Sequence, residues 1–446
     1  MNQKFKQNFI ELFGISEKEF DEIYSAPSYR GIRINSLKSN FETVQKSLNF
    51  PLTKTKFHKD GYYIPSDFKG IGNLPLHHAG AFYVQEPSAS SVLSVLDAEK
   101  GQKVLDLCAA PGGKSTGIGA DLLGEGILWS NEYVRKRAGA LLSNIERMGI
   151  HNASVSSLSA DYLCAALEGF FDIVLVDAPC SGEGMWRHND LVEEQWSEEY
   201  VEECAERQFE ILSSAAKAVK SGGRLVYSTC TFNLEENEKT VSRFLKSFKN
   251  FSLKKITNDF GRGGLLGEKE IDQKVKRISQ KDLGEGHFVA LFERENDGNF
   301  FCGETVKENI GKADKKLVEE FLKENFDFVP SGVLVEKNGF VYLVPKDMPQ
   351  IKGDILRQGL FVGEIRKQRL IPEHSLFSAA AVKPKRVLNL SVNDERITQF
   401  LKGLEISAEN GEDGFTAVFV EGAPLGFGKV SGGKLKNKYP KGLRLV

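Results

Sequence analysis

Phe171-Asp-Ile-Val-Leu-Val-Asp-Ala-Pro-Cys-Ser-Gly-Glu-Gly184 is the stretch on which the reading of this chain turns. Ile173 to Val176 is a short, largely β-branched apolar run and reads as a buried strand. The strand ends on Asp177, and Ala178-Pro179-Cys180-Ser181-Gly182 turns the chain away. Ligands of open α/β sheets bind beyond the carboxyl ends of the strands, so a carboxylate and a thiol there are placed for chemistry. A second reading stays open at this point. Asp177 could cap the next element, and Cys180 could be a small buried hydrophobe, as cysteines often are.

Outward from this stretch, strand, glycine-rich turn and helix alternate. Lys103-Val-Leu-Asp-Leu-Cys108 precedes Ala109-Ala-Pro-Gly-Gly-Lys-Ser115 and a helix. Gly126-Ile-Leu-Trp-Ser-Asn-Glu132 is a second strand ending on an acid, followed by a helix carrying Arg135, Lys136 and Arg137. Ala153–Ser157 is a third strand of weak composition with Asp161 just after it, and the opening stretch is the fourth. A helix from Tyr200 to Val219 leads through Ser221-Gly222-Gly223 into Arg224-Leu-Val-Tyr-Ser-Thr-Cys230, and His287 to Phe292 reads as an edge strand. Such alternation predicts a parallel, doubly wound sheet.

The turn at Pro111-Gly112-Gly113-Lys114 matches neither the dinucleotide fingerprint nor the phosphate loop, since the first glycine of each is missing. A tight turn opening a helix still lets a ligand approach the backbone. Glu132 is placed to accept hydrogen bonds from ribose hydroxyls. A nucleoside ligand without phosphates fits this pair, and S-adenosylmethionine is one. Cys180 and Cys230 both fall at strand ends on one rim. Methylation of a pyrimidine at carbon 5 needs a thiolate added at carbon 6, a group favouring ring-nitrogen protonation (Asp177) and a base that removes the carbon 5 proton. One thiol as nucleophile and one assisting release would account for both cysteines.

Three motifs in this order, Asp106 to Lys114, Asp177-Ala-Pro-Cys-Ser-Gly182 and Tyr227-Ser-Thr-Cys-Thr-Phe-Asn-Leu-Glu-Glu-Asn237, resemble the Nol/Nop/Sun group of RNA 5-methylcytosine methyltransferases. The resemblance covers about residues 80 to 295. It implies a Rossmann-like doubly wound class I S-adenosylmethionine-dependent core, with Cys230 as nucleophile, Cys180 as the releasing cysteine and Asp177 at the target ring. It also implies a cofactor site lined by Cys108, Ala109, Ala110, Pro111, Gly112, Gly113, Lys114, Glu132, Arg137, Asp161 and Asp177. Phe82-Tyr-Val-Gln-Glu-Pro-Ser88 and the tail Pro424 to Lys429 with Asn437 to Arg444 look like the bacterial small-subunit rRNA methyltransferases of the F type. These end in a PUA-like RNA-binding region. The implied partner is RNA, 16S rRNA or the small ribosomal subunit, with tRNA cytosine or a non-catalytic assembly role as alternatives. A DNA cytosine-5 methyltransferase would keep its nucleophile in the Pro-Cys motif, and Cys230 speaks against that.

At 446 residues the chain suggests several domains. We expect a small α+β N-terminal domain at 1–75, a catalytic domain at 76–295, a connector with a small α+β subdomain at 296–384, and a β-rich PUA-like unit at 385–446. Six cysteines form no C-x-x-C pair, which predicts reduced thiols, no metal site and a cytoplasmic protein, most simply a monomer. The start lacks an apolar signal region, and no run approaches bilayer length. The net charge of -2 does not advertise a nucleic-acid binder, yet Lys429, Lys434, Lys436, Lys438, Lys441 and Arg444 crowd a tail without acids: a solvated face, or an RNA-phosphate patch. Cys164, Cys204 and Cys302 are read as packing residues and His287 as structural. Trp186-Arg187-His188 is either an RNA contact or a loop anchor.

Overall fold

A computed structural model describes residues 2–187, 190–296, 298, 301–409 and 411–445. Its centre is a mixed sheet of β1 (Lys103–Asp106), β2 (Ile127–Asn131), β3 (Ala153–Ser156), β4 (Phe171–Asp177), β5 (Val219–Thr229), β6 (Phe251–Lys254), β7 (His287–Arg294) and β8 (Ile355–Gln358). The spatial order is β6-β7-β5-β4-β1-β2-β3-β8. Strands β1 to β5 run parallel, and β6, β7 and β8 are antiparallel to their neighbours. Winding reverses between β1 and β4, which makes their carboxyl ends the ligand-binding crevice of a doubly wound sheet.

Crossovers are made by α1 (Gly113–Asp121), α2 (Arg135–Arg147), α3 (Ala160–Ala166) and α4 (Glu198–Ala218), and α5 (Thr240–Ser247) follows β5. Both faces of the sheet are therefore covered. One face buries Trp129, Val174, Val176, Leu225 and Phe288, the other Val104, Leu128, Ile173, Leu175 and Val226. Strands buried on both sides read as unbroken apolar runs, which is why β4 was legible. Strand β3 is polar because its Ser156 hydroxyl accepts from Trp129 Nε1 at 2.9 Å and donates to Asn131 Oδ1 at 2.8 Å. Satisfied hydroxyls can sit in a core.

One expectation fails here. His287 to Phe292 is not an edge strand. The short strand β6 pairs along its outer side, where Phe251 and Leu253 point inward and Ser252 and Lys254 outward. Four alternating residues are too few for their periodicity to stand out in the sequence. At the opposite edge β8, which comes from the connector, pairs with β3.

The N-terminal region packs two short helices, Gln3–Phe13 and Glu17–Ser25, ahead of an antiparallel sheet of Arg30–Ile34, Thr53–Lys54, Gly61–Ile64 and Phe82–Gln85. After the core come a helix, Lys312–Asn325, and a four-stranded antiparallel sheet from Val333–Lys337 to Arg369–Pro372. The chain ends in a five-stranded sheet around Gly414–Val420 and Ala423–Ser431, with the helix Glu395–Leu401 against it. The two ends of the chain share one core: Ile32, Ile34 and Phe82 pack in the cluster that holds Ile397, Leu425 and Leu435. At their junction the Lys38 ammonium is buried and donates to the carbonyls of Ala79, Arg147 and Pro424. Burial, then Arg147, pushes this amine well below its ordinary value. Among the described residues no helix is long and apolar enough to cross a membrane.

Candidate active site

The parallel register of β4 and β5 sets Asp177 opposite Ser228. Cys180 lies three residues beyond Asp177, and Cys230 is the first residue past β5, so the two loops leave the sheet side by side. Their sulfurs are 3.3 Å apart. The Cys180 thiol is pushed well above its ordinary value, first by the hydrogen bond to Cys230 and then by burial. Cys180 therefore holds its proton more firmly than a free thiol, and either sulfur can donate within the pair.

Asp177 is the electrostatic hub. Its Oδ2 accepts from Lys114 Nζ at 2.7 Å and its Oδ1 from the Ser228 hydroxyl at 2.7 Å. His287 Nε2 stands 3.7 Å from Oδ1, too far for a hydrogen bond but close enough for charge to matter. Burial pushes the Asp177 carboxyl up, but Lys114 and His287 outweigh it and hold the group well below the ordinary carboxylate range. Lys114 answers in kind: burial would lower it, and Asp177 raises it above its ordinary value.

Two buried carboxylates stitch the cysteine loops together. Glu236 accepts from Ser181 N, Ser181 Oγ, Gln208 Nε2 and Asn233 Nδ2. Glu183 accepts from Trp196 Nε1, Thr231 Oγ1, Phe232 N and Asn233 N. The loops approach so closely that a Cβ on Gly184 would fall 2.9 Å from the Cys230 carbonyl oxygen. The N-terminal helices brace this assembly from outside: Phe5 stacks on Trp186 with centroids 4.0 Å apart, and Phe9 meets Phe232 edge-on.

The glycine turn forms the other half of the crevice. Ala109 N donates to Asn131 O, Ala110-Pro111 is a cis peptide, and Gly112 at φ 113° adopts a conformation side chains rarely take before α1 begins. Arg33, buried beneath the turn, donates to Gly113 O and Thr116 Oγ1. Glu132 is buried, accepts from Val134 N at 2.9 Å, and lies 3.4 Å from Arg137, which also donates to Ala110 O. Asp106 is fully buried beneath them; its Oδ2 accepts from Ser115, its Oδ1 lacks a partner among the described residues, and burial pushes the carboxyl up to about 7. Burial, with Asp106, Asp177 and Glu132 around it, also drives the Cys108 thiol well above its ordinary value, so it is inert.

This donor set suits S-adenosylmethionine. Lys114 and Arg137 are each tied to a carboxylate and so are poorly placed to take a phosphate. The acidic rim suits a cationic sulfonium and ammonium, and Glu132 suits a ribose diol. Asp161 is the outlier. It stands exposed on the first turn of α3 and, among the described residues, makes none of the contacts that join the others.

Three readings change. His287 is not merely structural: it borders Asp177, and neither ring nitrogen has a hydrogen-bond partner among the described residues. Only its position at the start of β7, next to β5, reveals this. Trp186 and Arg187 are anchors, Arg187 donating to Glu285 and to the carbonyls of Ile23 and Ala26, while residue 188 lies outside the described residues. Cys164 and Cys204 are buried as expected, but Cys302 is exposed, while its neighbour Phe301 takes the place against Phe170 in the core.

Sheet order, glycine turn and acidic rim together define a Rossmann-like methyltransferase that uses S-adenosylmethionine. Comparison with known proteins sharpens this. Residues 93–293 match the family described as 16S rRNA methyltransferase RsmB/F. Residues 1–87, 320–379 and 387–445 match the RsmF N-terminal domain, first C-terminal domain and PUA domain. Ribosomal RNA small subunit methyltransferase F of Vibrio vulnificus is 31% identical over 436 residues, covering 94% of this chain and 91% of that protein. Its counterpart in Shewanella amazonensis is 30% identical, covering 99% and 98%. The crystal structure of NSun6 from Pyrococcus horikoshii with SFG superposes with a TM-score of 0.58 at 21% identity, over 66% of this chain and 99% of that one, a likeness of fold. The chain belongs to the ribosomal RNA small subunit methyltransferase F family.

Proposed function

We propose that the protein methylates carbon 5 of cytosine in 16S rRNA through a covalent cysteine–cytosine adduct. The observation that carries the chemistry is the pair of sulfurs 3.3 Å apart beside the Lys114–Asp177 pair. The substrate rests on the curated relatives' names. When bound, S-adenosylmethionine supplies an electrophilic methyl group on its sulfonium.

The residues of the chain do the rest. The Cys230 thiolate adds to carbon 6, and the electron pair displaced from the carbon 5–carbon 6 bond makes carbon 5 nucleophilic. Asp177, held ionised, accepts a hydrogen bond from the protonated ring nitrogen and so favours that form. After methyl transfer a base takes the carbon 5 proton, and the electron pair of that carbon–hydrogen bond re-forms the carbon 5–carbon 6 double bond. The Cys230 sulfur leaves as a thiolate, which Cys180 assists by donating its S–H to it. Cys108 to Lys114, Glu132, Arg137, Asp161 and Asp177 line the site of the methyl donor. The units at 1–75 and 385–446 hold the RNA.

Replacing Cys230 with Ala should abolish methyl transfer. Replacing Cys180 with Ala should accumulate an enzyme–RNA adduct that survives denaturing electrophoresis. An active Cys230→Ala enzyme would overturn the assignment, and bisulfite sequencing of rRNA from a deletion strain would locate the cytosine.

A further inference from the structure

We propose that the cleft lined by Tyr29 and Tyr63 is a site where a base of the substrate RNA close to the target cytosine stacks on a tyrosine ring. The proposal rests on the RNA-methylation reading and adds to it a second point of contact.

The cleft has a volume of about 380 Å³ and is lined by Tyr29, Arg30, Thr53, Tyr63 and Leu283 among others. Both tyrosines are half-buried, with ring centroids 6.2 Å apart and planes at 59°. They are already ordered. Tyr63 donates to the Leu283 carbonyl at 2.8 Å, Tyr29 N donates to Glu285 Oε1 at 2.6 Å, and the Arg187 guanidinium lies 5.7 Å from the Tyr29 ring. Binding would therefore freeze few new rotamers.

Chain connectivity places the cleft near the chemistry. Leu283 is four residues before His287, and four residues span at most about 14 Å when fully extended. His287 in turn stands 3.7 Å from Asp177. On its other side, Gly31 pairs with Gln85, and the Gln85 side chain lies against the Gly113 turn. The cleft is thus within reach of a base only a few nucleotides from the one over Asp177.

The chemistry of the substrate asks for such a site. A cytosine attacked at carbon 6 must leave its stack, and its neighbours lose a stacking partner with it. Single-stranded bases are held by aromatic faces with positive charge along the backbone. Here the aromatic faces are the two tyrosines. The charge is Arg30, which donates to the carbonyls of Ser66 and Phe68 and pairs with no carboxylate among the described residues. Among the described residues no acid lines this cleft. The larger cleft beside Phe232, of about 670 Å³, is lined by Glu11, Glu183, Glu198, Glu202 and Glu235 and would repel a phosphate chain.

The test uses the full-length protein and a short single-stranded RNA with one cytosine, 2-aminopurine being placed in turn at each flanking position. Binding should quench the fluorophore at one position. Tyr63→Ala and Tyr29→Ala should remove that quenching and weaken binding roughly tenfold, whereas Tyr63→Phe should keep both. Unchanged quenching in the Ala variants, or its loss in the Phe variant, overturns the proposal. As a check that needs no variant, 4-thiouridine-labelled 16S rRNA should cross-link to wild-type peptides containing Tyr29 or Tyr63, and cross-links found only elsewhere also overturn it. Methyl transfer is scored separately, so a protein that stacks the base but never methylates cytosine would break the functional reading and leave the cleft standing.

Discussion

Glu183 and Glu236 are buried, and each accepts four hydrogen bonds beside the paired sulfurs. In the last sheet of the chain Lys429, Lys434, Lys436, Lys438 and Lys441 stand exposed over a core of Val418, Leu425 and Leu435. Lys429 and Lys436 are even cross-strand partners, a like-charged pair that costs stability unless an anion lies between them. The contrast separates two tasks. Positioning two sulfur atoms needs charges fixed inside by many bonds, and each bond left unmade there is costly. Following an irregular phosphate chain suits charges that stay hydrated and mobile.

The sharpest way to break that contrast is Glu236→Ala. It leaves the partners of Glu236 in both cysteine loops without an acceptor, so we expect a loss of about 3 kcal/mol or more by denaturant unfolding, and methyl transfer lost with it. A variant that keeps its stability would show that the buried carboxylate is dispensable. Lys114→Met comes next. Without the ammonium, the Asp177 carboxyl should rise toward the ordinary range, moving the acid limb of the pH–rate profile upward and lowering kcat roughly a hundredfold.

A smaller effect sits between the regions. His374 is enclosed, and burial, with Lys38 behind it, pushes its ring down to about 3. Its folded value lies below the unfolded one, so stability is complete above about pH 6.5 and falls as the pH drops toward 3. At about pH 5 the loss from this ring approaches roughly 2 kcal/mol, and in His374→Gln that part of the pH dependence should vanish from unfolding curves. The smallest change should come from Lys436→Gln combined with Lys438→Gln. Affinity for rRNA should drop a few-fold and the salt slope should fall by about one for each phosphate that is no longer neutralised, with kcat unchanged.

Strand β4 was legible because Ile173 to Val176 is an unbroken apolar run that ends on Asp177, and β5 because Ser221-Gly222-Gly223 is followed by the buried segment Leu225 to Thr229. Adjacency was not legible. That Cys180 meets Cys230 follows only once β4 and β5 are neighbours in register, and that His287 meets Asp177 follows only once β7 pairs with β5. Nothing in the sequence singles out Glu183 and Glu236, because hydrogen bonds between distant segments leave no periodic trace. Asp161 was placed by its strand end alone, and it stands exposed on the first turn of α3.

Lys38 bonds to the carbonyl of Ala79, to one on α2, and to that of Pro424, 386 residues further along the chain. During synthesis the apolar face of the first sheet, with Ile32, Ile34 and Phe82, must therefore wait for Leu425 and Leu435 to complete its cover. A nascent chain of this protein carries an open apolar seam until the sheet that holds Leu425 and Leu435 has been made, and truncation within that sheet uncovers Ile32, Ile34 and Phe82.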